Sequence, residues 1–84
     1  MPHVILYTRE GCCLCDTARD ALARVLARHP SAFRLEERDI ESDDALFRAY
    51  LERIPVVTID GRETFELFVD EAELQRRLDI VQTG

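Results

Sequence analysis

The chain has 84 residues, enough for one domain with a small core. Its formal net charge is −6, and its eleven basic residues are all Arg, so a nucleic-acid partner is not expected, because phosphate binding needs a cationic face. Hydrophobic residues make up 46% and charged residues 33%, the balance of a globular chain, and no stretch is long and apolar enough to span a bilayer.

His3 to Tyr7 reads as a strand. Its near-continuous apolar run, Val4-Ile5-Leu6-Tyr7, predicts burial on both faces and a central place in a sheet. From Cys13 to Arg28 the spacing is helical, with Leu14, Ala18, Ala21, Leu22 and Val25 on one stripe. Asp20 and Arg24 form a favourable i,i+4 pair on the other side. His29-Pro30 ends this helix, since proline disfavours helical geometry in the residue before it. Phe33 to Asp39 alternates in part, as a half-solvated edge strand does. Ser42 or Asp43 can cap a second helix whose apolar face is Leu46, Phe47, Tyr50 and Leu51.

Ile54-Pro55 breaks that pattern. Val56 to Ile59 is a strand, Asp60-Gly61 a hairpin turn, and Thr64 to Val69 the return strand. Asp70, with Glu73 three residues on, resembles a capping box for a last helix carrying Leu74, Leu78 and Val81. The order is βαβαββα, without linker, repeat or low-complexity stretch, so residues 1–84 are read as one domain. A helical crossover makes the first two strands parallel, and the hairpin adds two antiparallel ones. The expected fold is α/β, a four-stranded mixed sheet with helices on both faces.

All three cysteines fall in Cys12-Cys13-Leu14-Cys15, between the first strand and the first helix. A Cys-x-x-Cys pair at such a junction is a redox signature. Cys12 stands at the helix N-terminus, where unpaired N–H groups and the macrodipole favour thiolates. Cys15 lies almost one turn on and is expected to be buried. A Cys12–Cys15 disulfide would close a tiny loop and constrain the unfolded chain little, so the pair points to chemistry rather than to a staple. Arg9 favours a Cys12 thiolate, while Glu10 and Asp16 oppose it. Cys13 is a spectator on the exposed first turn unless it serves as a second nucleophile or a metal ligand. Three thiolates can hold a soft ion, but a closed site needs a fourth ligand, and His3 and His29 sit at the far ends of their elements. No metal is therefore assigned. The start Met1-Pro2-His3 shows no basic leader or cleavage pattern, so a cytoplasmic monomer is expected, with its thiols kept reduced.

The element order, Tyr7-Thr8-Arg9-Glu10-Gly11-Cys12-x-x-Cys15 and the later Ile54-Pro55-Val56-Val57 resemble the glutaredoxin family of the thioredoxin fold. The resemblance spans nearly the whole chain and is nearest to small bacterial glutaredoxin-like proteins with a Cys-x-Leu-Cys-Asp site. It implies a thiol–disulfide oxidoreductase in which Cys12 attacks, Cys15 resolves and the Ile54–Pro55 bond is cis. A cis bond is cheap only before proline. It would turn the Ile54 backbone toward the sulfurs, leaving its N–H and C=O to pair with an extended substrate.

Arg9 matches the basic residue that glutathione-using members carry three places before the first cysteine. Where they carry a Gly-Gly and acidic segment, this chain reads Leu67-Phe68-Val69-Asp70-Glu71, in which Asp70 and Glu71 match the acidic residues but the glycines are absent, and Cys13-Leu14 replaces their Pro-Tyr site dipeptide. The implied substrates are protein disulfides or glutathione mixed disulfides, with a reductase as electron donor. Glutathione is a candidate co-substrate, and no tightly bound cofactor is implied. The rival readings are a metal or iron–sulfur carrier and a non-catalytic binding module.

Overall fold

The computed structural model describes residues 1–78. Its elements are β1 (His3–Thr8), α1 (Cys13–Arg28), β2 (Arg34–Asp39), a 3-10 turn (Ile40–Ser42), α2 (Asp44–Tyr50), β3 (Val56–Ile59), β4 (Arg62–Glu66) and α3 (Glu71–Arg77). The sheet order is β2-β1-β3-β4. β1 is central, parallel to β2 from His3↔Arg34 to Thr8↔Asp39 and antiparallel to β3 from Val4↔Ile59 to Tyr7↔Val56. The continuous apolar run of β1 has this cause: both of its faces are covered.

Strand alternation divides the core in two. On one face Val4, Leu6 and Val57 meet Ala18, Leu22 and Val25 of α1 and Leu74 of α3. On the other, Tyr7, Ile40 and Val56 meet Leu46, Phe47 and Tyr50 of α2. Each fully buried Leu, Val or Phe contributes about 1.5–3 kcal/mol over its exposed state. Tyr7 and Tyr50 pack as a tilted pair, ring centroids 4.8 Å apart.

Several local expectations are corrected. Leu14 does not join the buried stripe of α1; it is 53% exposed, and Cys15 takes its place in the core. Both lie on the helical spacing from Ala18, three or four residues back, and the narrower stripe falls on Cys15. Leu51 of the expected second apolar face is also exposed. Phe33 precedes β2 and is buried as a core residue.

β4 runs from Arg62 to Glu66, not from Thr64 to Val69. The two-residue turn Asp60-Gly61, both at positive φ, pairs Ile59 directly with Arg62. At the other end Leu67 adopts φ 72° and leaves the strand. Asp43, not Ser42, caps α2, accepting the Ala45 N–H at 2.8 Å. Asp70 accepts from Ala72 and Glu73, but the Glu73 carboxylate pairs with Arg76 and Arg77, so the capping box is half made. Arg24 pairs with Glu71 of α3 at 3.1 Å in place of Asp20. Val81 lies outside the described residues.

Candidate active site

Chain reversal after β1 places the cysteines. Gly11 sits at φ 81°, a left-handed conformation in which a side chain is strained, and the next residue, Cys12, is the N-cap of α1. The Cys12 N–H donates to the Arg9 carbonyl at 3.3 Å, and the Cys12 carbonyl accepts from Asp16 at 3.1 Å. The Cys12 sulfur accepts the Cys15 N–H at 3.2 Å. It therefore does the work of a capping oxygen, satisfying one of the orphan donors of the first turn.

The three thiols are unbonded and lie in three environments: Cys12 half-buried, Cys13 exposed, Cys15 fully buried. Burial pushes the Cys15 thiol up, and the contact with Cys12 adds to it; the Thr8 hydroxyl and the Arg9 main chain act the other way. The Cys13 side chain is on the outer surface of the turn, and its carbonyl accepts from Thr17 Oγ1 at 3.3 Å. With Cys15 turned inward and Cys13 outward, the sulfurs do not converge. Among the described residues no group of three or more His, Cys, Asp or Glu side chains is arranged to hold a metal ion.

The proline loop meets β1 laterally. Tyr7↔Val56 is the last pair of β1 with β3, so Pro55 is next in register to Thr8, just before the cysteines. The Ile54–Pro55 peptide is cis and Pro55 is fully buried. The expected pair of free groups on Ile54 is corrected. Its N–H donates to the Tyr50 carbonyl at 3.0 Å, closing a last helical turn after α2. Its carbonyl accepts no backbone N–H among the described residues. Beyond Pro55 lies Leu67, whose N–H donates to the Pro55 carbonyl at 2.9 Å. Leu67 is 47% and Phe68 67% exposed, so a large apolar surface stands where the resemblance puts two glycines. Leu67 nonetheless keeps a glycine-like backbone, at φ 72°.

Two charges near the site are paired. Arg9 Nε contacts Glu41 Oε1 at 2.6 Å, and its guanidinium lies 5.5 Å from the Phe47 ring centroid. Asp16 is tied to Arg19 at 2.7 Å. Of the charges expected to oppose one another at Cys12, Arg9 and Asp16 thus each have a partner of their own, while Glu10 is exposed and has none among the described residues. Glu41 is 32 residues from Arg9, and no local pattern signals it. Thr8 was also missed, although a signal existed: alternation puts it on the face of Val4 and Leu6, below the start of α1.

The model of the glutaredoxin-like domain (DUF836) matches residues 3–79. A glutaredoxin-like protein of Dictyostelium discoideum is 28% identical over 83 residues, covering 94% of this chain and 77% of its own. A Xanthomonas campestris protein (X. campestris target XcR50) of known crystal structure is 38% identical, with TM-score 0.71 and coverage of 93% of this chain and 97% of its own. The solution structure of Nitrosomonas europaea protein Ne2328 is 28% identical, TM-score 0.76, over 90% of this chain and 89% of that one. A Halobacterium salinarum thioredoxin, 17% identical with TM-score 0.67 over 93% and 72% of the two chains, shares the fold. The chain belongs to the glutaredoxin-like (DUF836) family and has the thioredoxin fold.

Proposed function

We propose that the chain is a thiol–disulfide oxidoreductase that cycles Cys12 and Cys15. One observation carries the reading: a half-buried sulfur caps α1 while a fully buried one waits a turn behind it. The Cys12 thiolate attacks one sulfur of a substrate disulfide and expels the other as a thiolate, which takes a proton. The Cys15 thiolate then attacks the Cys12 sulfur. The substrate's remaining sulfur leaves, accepting the proton that Cys15 gave up, and the chain is left as the Cys12–Cys15 disulfide. Two electrons have passed to the substrate, and an external thiol or reductase must restore the dithiol.

Protein disulfides are the favoured substrate class. Leu67 and Phe68 offer an apolar face beside Pro55, which suits an apolar peptide segment better than the charged ends of glutathione. An anion seeking Arg9 must displace Glu41, although such an exposed pair is worth only about 0–1 kcal/mol. A substrate strand would donate to the Ile54 carbonyl and receive nothing from its N–H. The test is turnover of a peptide disulfide by the wild type and single cysteine variants, with glutathione plus glutathione reductase or thioredoxin reductase as reductant. Wild type and Cys13→Ser turn over, Cys12→Ser does not, and glutathione mixed disulfides are poorer substrates. Native-rate turnover by Cys12→Ser refutes the assignment.

A further inference from the structure

Thr8 closes β1 with a polar group that the fold leaves unused. Alternation puts Val4, Leu6 and Thr8 on one face of the strand. Val4 and Leu6 lie in the core completed by Ala18, Leu22 and Val25 of α1. Thr8 therefore sits beneath the first turn of α1, where Cys15 is the buried residue. The Thr8 residue is 9% exposed, and its hydroxyl is sealed from solvent without a hydrogen-bond partner among the described residues. An unpaired buried hydroxyl is costly, and valine has the same shape without it. Packing alone does not account for threonine here.

We propose that Thr8 is a positioning residue for the resolving step, donating its hydroxyl hydrogen to the Cys15 sulfur whenever that sulfur carries negative charge. The inference rests on the dithiol reading above. A hydroxyl bonds an anionic acceptor more strongly than a neutral one, so the contact tightens as Cys15 ionises. It acts in both directions of the cycle. In resolution Cys15 attacks Cys12 as a thiolate; in reduction of the Cys12–Cys15 bond by attack on Cys12, Cys15 departs as one. The groups acting on this sulfur are Cys12, the Arg9 main chain and the Thr8 hydroxyl, which is near enough to favour the thiolate although it makes no formed hydrogen bond to the neutral thiol. The Asp16 carboxylate is exposed and held by Arg19.

The test uses a Cys13→Ser background and an aromatic disulfide whose thiolate absorbs light, followed by stopped flow. The first thiolate released reports attack by Cys12; the second reports its displacement by Cys15. Removing the hydroxyl raises the Cys15 pKa, and each tenfold loss of thiolate is returned only about threefold by the greater basicity. Thr8→Val should therefore leave the first phase unchanged, slow the second by about threefold at neutral pH, and move its pH profile to higher pH. Thr8→Ser should restore both. An unchanged second phase in Thr8→Val overturns the proposal. So does a slowing that is equal at every pH, or a Thr8→Ser variant as slow as Thr8→Val. A wild-type chain with no second phase overturns the dithiol reading together with it.

Discussion

Replacing either site cysteine by serine should change stability in opposite directions. Cys12 is the N-cap of α1, and its sulfur receives the Cys15 N–H at 3.2 Å. Sulfur is a weak acceptor, whereas serine is among the best N-cap residues. Cys12→Ser should gain about 0.5–1 kcal/mol, part of the range measured for good against poor caps. Cys15 is fully buried, and its thiol behaves as a small apolar group there. Cys15→Ser places a more polar hydroxyl in that space and should lose about 1–2 kcal/mol. The nearby Thr8 hydroxyl keeps the loss at the low end of the usual span. For a domain of this size, each kcal/mol moves Tm by about 4–8 °C. Thermal melts of the reduced proteins should thus show Cys12→Ser above wild type and Cys15→Ser below it. Equal losses in the two variants would refute the capping geometry. A neutral Cys15→Ser would refute the burial.

Three further outcomes follow from the same geometry. Gly11 stands at φ 81° with nothing within 4 Å of an added Cβ, so Gly11→Ala meets backbone strain alone. It should cost about 1 kcal/mol by urea titration, and a D-alanine placed there by synthesis should recover it. The folded chain holds the Cys15 proton above the ordinary thiol value of 9.0. Below that value folded and unfolded chains both keep the proton; above it the unfolded chain releases it first, so stability falls as pH rises. Urea midpoints measured across that range should drop more for wild type than for Cys15→Ala. Finally, Glu41→Gln frees Arg9 from its partner. Rates with an anionic aromatic disulfide should rise at low ionic strength, and the gain should vanish in about 1 M salt.

The gross fold is legible because its signals are local. The unbroken apolar run of β1, the helical stripe ending at His29-Pro30 and the Asp60-Gly61 turn each act over a few residues, and together they set the order and pairing of the strands. The site is legible where it depends on the junction after β1. It is less so where neighbours are distant. Glu41 and Glu71 take the arginines at 9 and 24 away from their local expectations, and such exposed pairs are chosen by where the chain folds back. Cys15 is buried as its place one turn into α1 leads one to expect, but the apolar stripe cannot hold Leu14 as well, and Leu14 is left exposed. Leu67-Phe68-Val69 looks like a strand by composition, but a positive φ at Leu67 ends it and leaves Phe68 in solvent. The α2 tail that captures the Ile54 N–H has no composition signal at all.

The division of labour between the sulfurs is tested most directly by trapping the intermediate. Reduced Cys15→Ser protein is mixed with a disulfide-bonded peptide, quenched with acid, digested and mapped by mass spectrometry. The account predicts one peptide held in disulfide linkage at Cys12, with Cys13 free. Attachment at Cys13, or no adduct while wild type still reduces the peptide, would contradict it.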